Sequence, residues 1–221
     1  MSRYWRRRIG RHLLLAGATI VLVAAGVMLL APKDVIWRIS ITSGWIGAVL
    51  LAATLVLGPL NVIRGRPNPV SFDLRRDLGI WAAILATIHT GVGLFVHLRG
   101  RPLRYFVWDR PSAHLVPLRY DALGVANWIG LGSLLVFLLL GAISNDVSVR
   151  RLGPRRWKQI QRWSYVGAVA MVLHGLVYQL ALEKRTAAMV LAFVLLILGT
   201  TIAQVVGFGR MRDFERRQPT R

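Results

Sequence analysis

The sequence predicts an all-α membrane protein of six transmembrane helices, on three observations. The chain is apolar overall: 55% of its 221 residues are hydrophobic and its mean hydropathy is +0.51. The apolar residues come in blocks of about twenty, the length that carries an α-helix across a bilayer. The charged residues, 29 Lys and Arg against 9 Asp and Glu, lie almost entirely between those blocks.

The net charge of +20 would suggest nucleic acid in a soluble protein. Here no nucleic-acid motif accompanies it, and its placement fits membrane orientation and contact with anionic lipid. The chain has no cysteine, which excludes disulfides, thiolate-held iron–sulfur clusters and covalent c-type haem attachment. The first segment, MSRYWRRRIGRHLLLAGATIVLVAAGVMLLAP, places a basic region before an apolar run of roughly 19 residues. That run is longer than a signal-peptide core, and LLAPKD is a poor cleavage site, so it is read as a retained first helix.

In order, the six spans are expected at 12–31, 40–62, 77–98, 122–144, 160–182 and 187–208. The second ends at Gly58-Pro59, where a kink or break is expected. The fourth follows Asp121, a plausible helix cap. The last two are joined by Glu183, Lys184, Arg185 and Thr186 alone, which makes them an antiparallel hairpin. All six belong to a single integral membrane domain covering residues 1–221.

Lys and Arg outside the spans set the orientation. The N-terminus, the second and fourth loops and the tail carry 19 of them, and the opposite side carries 9. Both termini of this multi-pass protein are therefore expected in the cytoplasm. The longest connection, 99–121, faces outside and mixes arginines with Tyr105, Phe106, Trp108 and His114. It suits either the membrane surface or a docking partner. Trp5, Trp37, Trp81, Trp157 and Trp163 fall near span ends, as interfacial aromatics do.

Two histidines stand deep in apolar spans, His89 in the third and His174 in the fifth. An ionisable group at that depth is costly and needs a partner. Both spans run in the same direction. His89 lies about 12 residues into its span and His174 about 14, so at 1.5 Å per residue their depths differ by roughly 3 Å. Helix bundles build haem sites from side chains on facing helices, and neutral imidazole is a good iron ligand. The fold expected is thus a central haem-binding helix bundle, with His89 and His174 clamping a b-type haem. The competing reading is a pair of core imidazoles, each hydrogen-bonded to a backbone carbonyl or to a Ser or Thr. His97 falls about 80° around the helix from His89 and is expected at the surface. His12 is expected among headgroups.

The run LRRDLGIWAAILATIH (74–89), followed by RRLGPRRWKQIQRWSYVGAVAMVLHGLVY (150–178), resembles the ferric reductase-like transmembrane domain. Within that family it is most similar to the haem-binding membrane subunits of bacterial periplasmic methionine sulfoxide reductase systems. The matching residues are Arg75, Arg76, Leu78, Gly79, Trp81 and His89, then Arg151, Leu152, Gly153, Trp157, Leu173 and His174. The larger family places a second histidine about 13 residues inward on each helix; this chain has Gln161 and Arg76 there. The resemblance therefore implies the outer haem, one haem rather than two. A flavin or quinone near Arg75, Arg76 and Arg162 would then bring electrons from the inner side.

The function expected is transmembrane electron transfer by a subunit of an oxidoreductase system. The donor would be a cytosolic flavin reductase or a quinol. The acceptor would be an extracytoplasmic redox protein, such as a periplasmic reductase, or ferric iron. Arg75, Arg76, Arg155, Arg156 and Lys158 would form the basic rim that receives the donor. A haem-free structural or assembly subunit is the alternative. A small transporter fits poorly, because Asp and Glu fall at or beyond the span ends.

Overall fold

The computed structural model describes residues 3–65, 70–98 and 100–217; Arg66, Arg99 and Arg221, which enter the charge count above, lie outside them. The described residues are helical, apart from turns and one isolated β-bridge between Val107 and Leu118. The helices are α1 (Arg3–Leu29), α2 (Val35–Ile63), α3 (Val70–Gly93), α4 (Ala122–Ala142), α5 (Asp146–Leu152), α6 (Pro154–Gln161), α7 (Trp163–Val177) and α8 (Ala187–Arg217). A π-helical turn, Tyr178–Leu182, continues α7.

Five stretches are long and apolar enough to cross a membrane: Trp5–Leu29, Val35–Ile63, Ala122–Ala142, Pro154–Leu182 and Ala187–Asp213. The outward faces are apolar, with Leu13, Leu22, Leu135, Leu195 and Val205 more than half exposed. In water such a surface would be a liability; in lipid it is the solvated face. The third predicted span is not among the five, because α3 carries Asp73, Arg75, Arg76 and Asp77 in its first turns.

Helix α3 also has other limits than the 77–98 expected. It starts at Val70, with Asp73 in the first turn, where a negative charge meets the positive end of the helix dipole. It stops at Gly93 because Tyr105 takes over its free end. The Tyr105 hydroxyl donates to the Gly93 carbonyl (3.2 Å) and accepts from the N–H of His97 (2.8 Å) and Leu98 (3.3 Å). Tyr105 is fully buried, so this corner is fixed.

Other ends follow from side-chain caps. Asp34 accepts from the N–H of Ile36 and Trp37 at the start of α2, Asp121 from Gly124 at the start of α4, and Asn145 from Ser148 at the start of α5. Arg119 bonds Asp121 and holds its carboxyl below the usual range. The cap's added stability is therefore complete above that range and is lost as pH falls through the depressed value. Gly153 turns the chain between α5 and α6 at φ 74°, a region that favours glycine, and Pro154 opens α6.

The break expected at Gly58-Pro59 does not occur; α2 runs through to Ile63. Proline lacks the N–H that would bond the carbonyl four residues back, here that of Leu55. Gln204 of α8 supplies it instead, with its Nε2 donating to the Leu55 carbonyl at 2.7 Å. The proline ring is accommodated opposite Gly207, where a Cβ would come within 2.5 Å of Pro59. Nearby, Leu51, Leu55 and Ala82 form the buried core, flanked by Phe137 and Met171.

Ion pairs knit the end at which α1 begins and α8 finishes. Asp77 is fully buried and faces Arg8 (3.4 Å), Arg11 (2.8 Å) and His12 (3.3 Å). Trp81 donates to His12 Nδ1 at 3.1 Å. His12 and Trp81 therefore join α1 to α3, where an interfacial position was expected, and Asp77 is part of a buried acid–base group that the span limits concealed.

Replacing Gln204 with leucine should destabilise the protein by about 1–3 kcal/mol, the cost of an orphaned buried carbonyl. In a Pro59→Ala background the restored N–H serves Leu55, and the same replacement should cost almost nothing. Reversible unfolding in micelles of the two single variants and the double variant measures that coupling.

Candidate functional site

Helices α2, α3, α4 and α7 bring His89 and His174 together across one cavity. Their ring centroids are 6.1 Å apart and their planes are nearly perpendicular, at 83°. His89 Nδ1 lies 2.8 Å from the Ser40 carbonyl on α2, and His174 Nδ1 lies 2.8 Å from the Ala126 carbonyl on α4. Only an N–H can bond a carbonyl, so Nδ1 is the protonated nitrogen of each ring. Among the described residues neither Nε2 has a protein partner. Each ring is therefore oriented through Nδ1 and offers a lone pair at Nε2, the arrangement of a metal-ligating histidine with its supporting hydrogen bond. The carbonyl bonds foreseen by the competing reading are present, and they are the bonds that a ligand pair requires.

The cavity is partly open and is lined by Leu51, Phe137, Met171 and Phe193 as well as both histidines. An imidazole bound at about 2 Å sets its centroid roughly 3 Å from the metal, so two on opposite sides stand about 6 Å apart. The observed separation matches that value. Among the described residues no group of three or more His, Cys, Asp or Glu converges on a metal position. A bare ion would thus find only two donors, whereas a macrocycle that brings its own in-plane nitrogens needs only two axial ones. The residues fit a haem.

Two glycines that the sequence reading passed over make the geometry possible. A Cβ on Gly44 would lie 2.8 Å from His89 Nδ1, and one on Gly130 would lie 2.6 Å from His174 Nδ1. Each imidazole lies on the bare backbone of the neighbouring helix. The glycines beside the histidines in sequence act differently. Gly91 borders open space and Gly175 meets Phe193.

His97 is exposed, as expected, but it is not separate from the site. Since α3 ends at Gly93, the helical angle no longer applies beyond it, and His97 lines the same cavity. It stacks on Tyr178 at 6.1 Å, and the Tyr178 ring lies 4.8 Å from that of His174. Its Nε2 reaches Glu183 at 3.2 Å. Trp37 Nε1 donates to the same carboxylate at 3.0 Å, and Arg185 pairs with it closely. Burial works to raise the Glu183 carboxyl, but the bonds from His97 and Trp37 and the Arg185 charge outweigh it and hold it below the ordinary range. In the 99–121 loop Phe106 also lines the cavity, while His114 stacks on Trp108 at 4.2 Å.

Arg75 and Arg76 are not brought to the histidines; they sit about 20 Å away along α3 at 1.5 Å per residue. Arg76 pairs with Asp146 (2.7 Å) and Asp73 (3.4 Å). It lines a second cleft with Arg150, Trp157 and Lys158. Gln161 donates to the Leu140 carbonyl and to the Ser144 hydroxyl, so it is committed to α4.

Fold and site together define a helical membrane protein with a two-histidine site suited to haem. The chain belongs to the ferric reductase like transmembrane component family, whose model matches residues 43–172. It is similar to the protein-methionine-sulfoxide reductase heme-binding subunit MsrQ of Ralstonia nicotianae, with 30% identity over 126 residues, 57% of this chain and 52% of that protein. The Cronobacter sakazakii protein of the same name is 30% identical over 61% of this chain and 60% of its own length. That of Yersinia pseudotuberculosis is 28% identical over 61% and 59%. The chain thus aligns with half to three-fifths of the length of these relatives. No solved structure matches it.

Gly44→Ala and Gly130→Ala should each force an imidazole off its carbonyl and lower thermal stability by about 1–3 kcal/mol. Gly91→Ala and Gly132→Ala, where a Cβ meets nothing within 4 Å, should be neutral or stabilising by about 0.5–1 kcal/mol. Unfolding curves of the four variants give the comparison.

Proposed function

We propose that the chain is a haem b-containing transmembrane electron-transfer subunit, with one haem held between His89 and His174. The observation that carries the reading is the pair of Nδ1-locked imidazoles 6.1 Å apart in one apolar cavity. A haem bound there supplies one-electron storage between donor and acceptor. Ser40 and Ala126 fix the two rings, and the apolar lining keeps water from the site. Were His89 and His174 both to hold the iron, no position would remain open to a substrate, and substrate chemistry would belong to a partner.

Family membership and the names of the relatives support the haem and the place in a larger redox system. Six spans fit the alternation of more basic and less basic ends, with α3 as the sixth: its charged first turns are met by α1 and α5, and the rest of it packs beside α2. Both termini then lie in the cytoplasm of a bacterial inner membrane. Electrons enter at that end from a cytosolic flavin reductase or a quinol. Arg75 and Arg76 stand there, beside the cleft lined by Arg150, Trp157 and Lys158 that suits a flavin or quinone. They leave at the opposite end to an extracytoplasmic redox protein, a periplasmic reductase for example, or to ferric iron. One haem rather than two is favoured by Gln161 and Arg76, which occupy the inner positions and are held by α4 and by Asp146.

The purified protein should show a six-coordinate, low-spin b-type spectrum and nearer one haem than two per chain by pyridine haemochrome. His89→Ala or His174→Ala should give a high-spin or haem-free protein, while His12→Ala and His97→Ala should stay low-spin. A low-spin spectrum that survives loss of His174 and is lost with His97 would reject the pair.

A further inference from the structure

Resting on that haem reading, we propose that Glu183 sets the reduction potential of the site, as the fixed negative charge at the open end of the histidine cavity. Three separate parts of the chain converge on this carboxylate. Trp37 comes from the first turn of α2, His97 from the segment beyond α3, and Arg185 from the turn before α8. All of them line the cavity that holds His89 and His174. Only 14% of the Glu183 side chain is exposed, so its charge is poorly screened.

The backbone is shaped to place it. The end of α7 widens into the π turn, closed by the Glu183 N–H on the Tyr178 carbonyl at 2.9 Å. Such widened turns often mark functional sites. Lys184 then takes a left-handed conformation, φ 45°, and the Arg185 N–H returns to the Gln179 carbonyl at 2.8 Å. The same turn points Tyr178 between His174 and His97, so a continuous series of rings joins the ligand to the carboxylate. Arg185 lies over the Trp37 ring at 4.4 Å and offsets part of the charge.

Reduction by one electron removes one positive charge from the site. A fixed negative charge nearby favours the oxidised form, and its removal favours the reduced form. Glu183→Gln should therefore shift the equilibrium with a redox dye toward reduced haem by roughly tenfold, the scale of one charge at an effective dielectric near 20. Glu183→Asp keeps the charge and should keep most of the wild-type potential. Arg185→Gln removes the offset and should move the potential the other way, which also tests the idea if Glu183→Gln fails to assemble. Mediated redox titration of each variant, with the low-spin spectrum as the check on assembly, is the experiment. A normal spectrum with unchanged potential in Glu183→Gln and Arg185→Gln overturns this proposal alone. A wild-type protein without a haem spectrum overturns the haem reading and this one with it.

Discussion

Two hydrogen bonds govern the site: His89 Nδ1 to the Ser40 carbonyl and His174 Nδ1 to the Ala126 carbonyl. Each fixes a tautomer, a ring orientation and the position of one helix against another. A buried imidazole without that bond would be free to turn and would carry an unsatisfied donor. The carbonyls become acceptors although they belong to helices, because the rings lie against glycine and approach the backbone closely. The bonds couple α3 to α2 and α7 to α4, the two most extensive helix pairings in the structure. Packing and imidazole orientation are thus one arrangement.

The rest of the bundle holds those pairs in register. At the basic end Asp77 collects Arg8, Arg11 and His12 and ties α1 to α3. A lone buried carboxylate would be very costly, and the Arg8 and Arg11 guanidiniums beside Asp77 offset that cost. In the middle, Gln204 repairs the hydrogen bond that Pro59 removes, so α2 can run its full length past the core. At the other end Tyr105 closes α3, and Glu183 gathers Trp37, His97 and Arg185. Polar groups in an apolar protein are here gathered into clusters that partner one another, as a medium without water favours.

What could be read from the sequence was what carries a cost in lipid. Long apolar blocks have few alternatives to helices, and five of them have the expected length and composition. His89 and His174 stood out because an ionisable side chain deep in such a block needs a reason. The partners that orient them could not be read: Ser40 and Ala126 act through backbone carbonyls, which every residue has. Gly44 and Gly130 were hidden by the abundance of glycine in membrane helices. The link from His97 to the cavity was missed because helical periodicity was carried past Gly93, and nothing in the local sequence announces that a tyrosine twelve residues on terminates the helix. Asp77 was placed at a span boundary by hydropathy, which scores charge without regard to the basic partners that make burial possible.

The central claim, that His89 and His174 hold one haem iron in the orientation seen here, is tested most directly by electron paramagnetic resonance of the oxidised protein. Axial imidazoles in nearly perpendicular planes make two of the iron d orbitals almost equal in energy, because neither direction is singled out. The rings here meet at 83°, so the account predicts a strongly anisotropic low-spin signal with one very large g value. A high-spin signal, or the rhombic low-spin signal of parallel imidazoles, would contradict it.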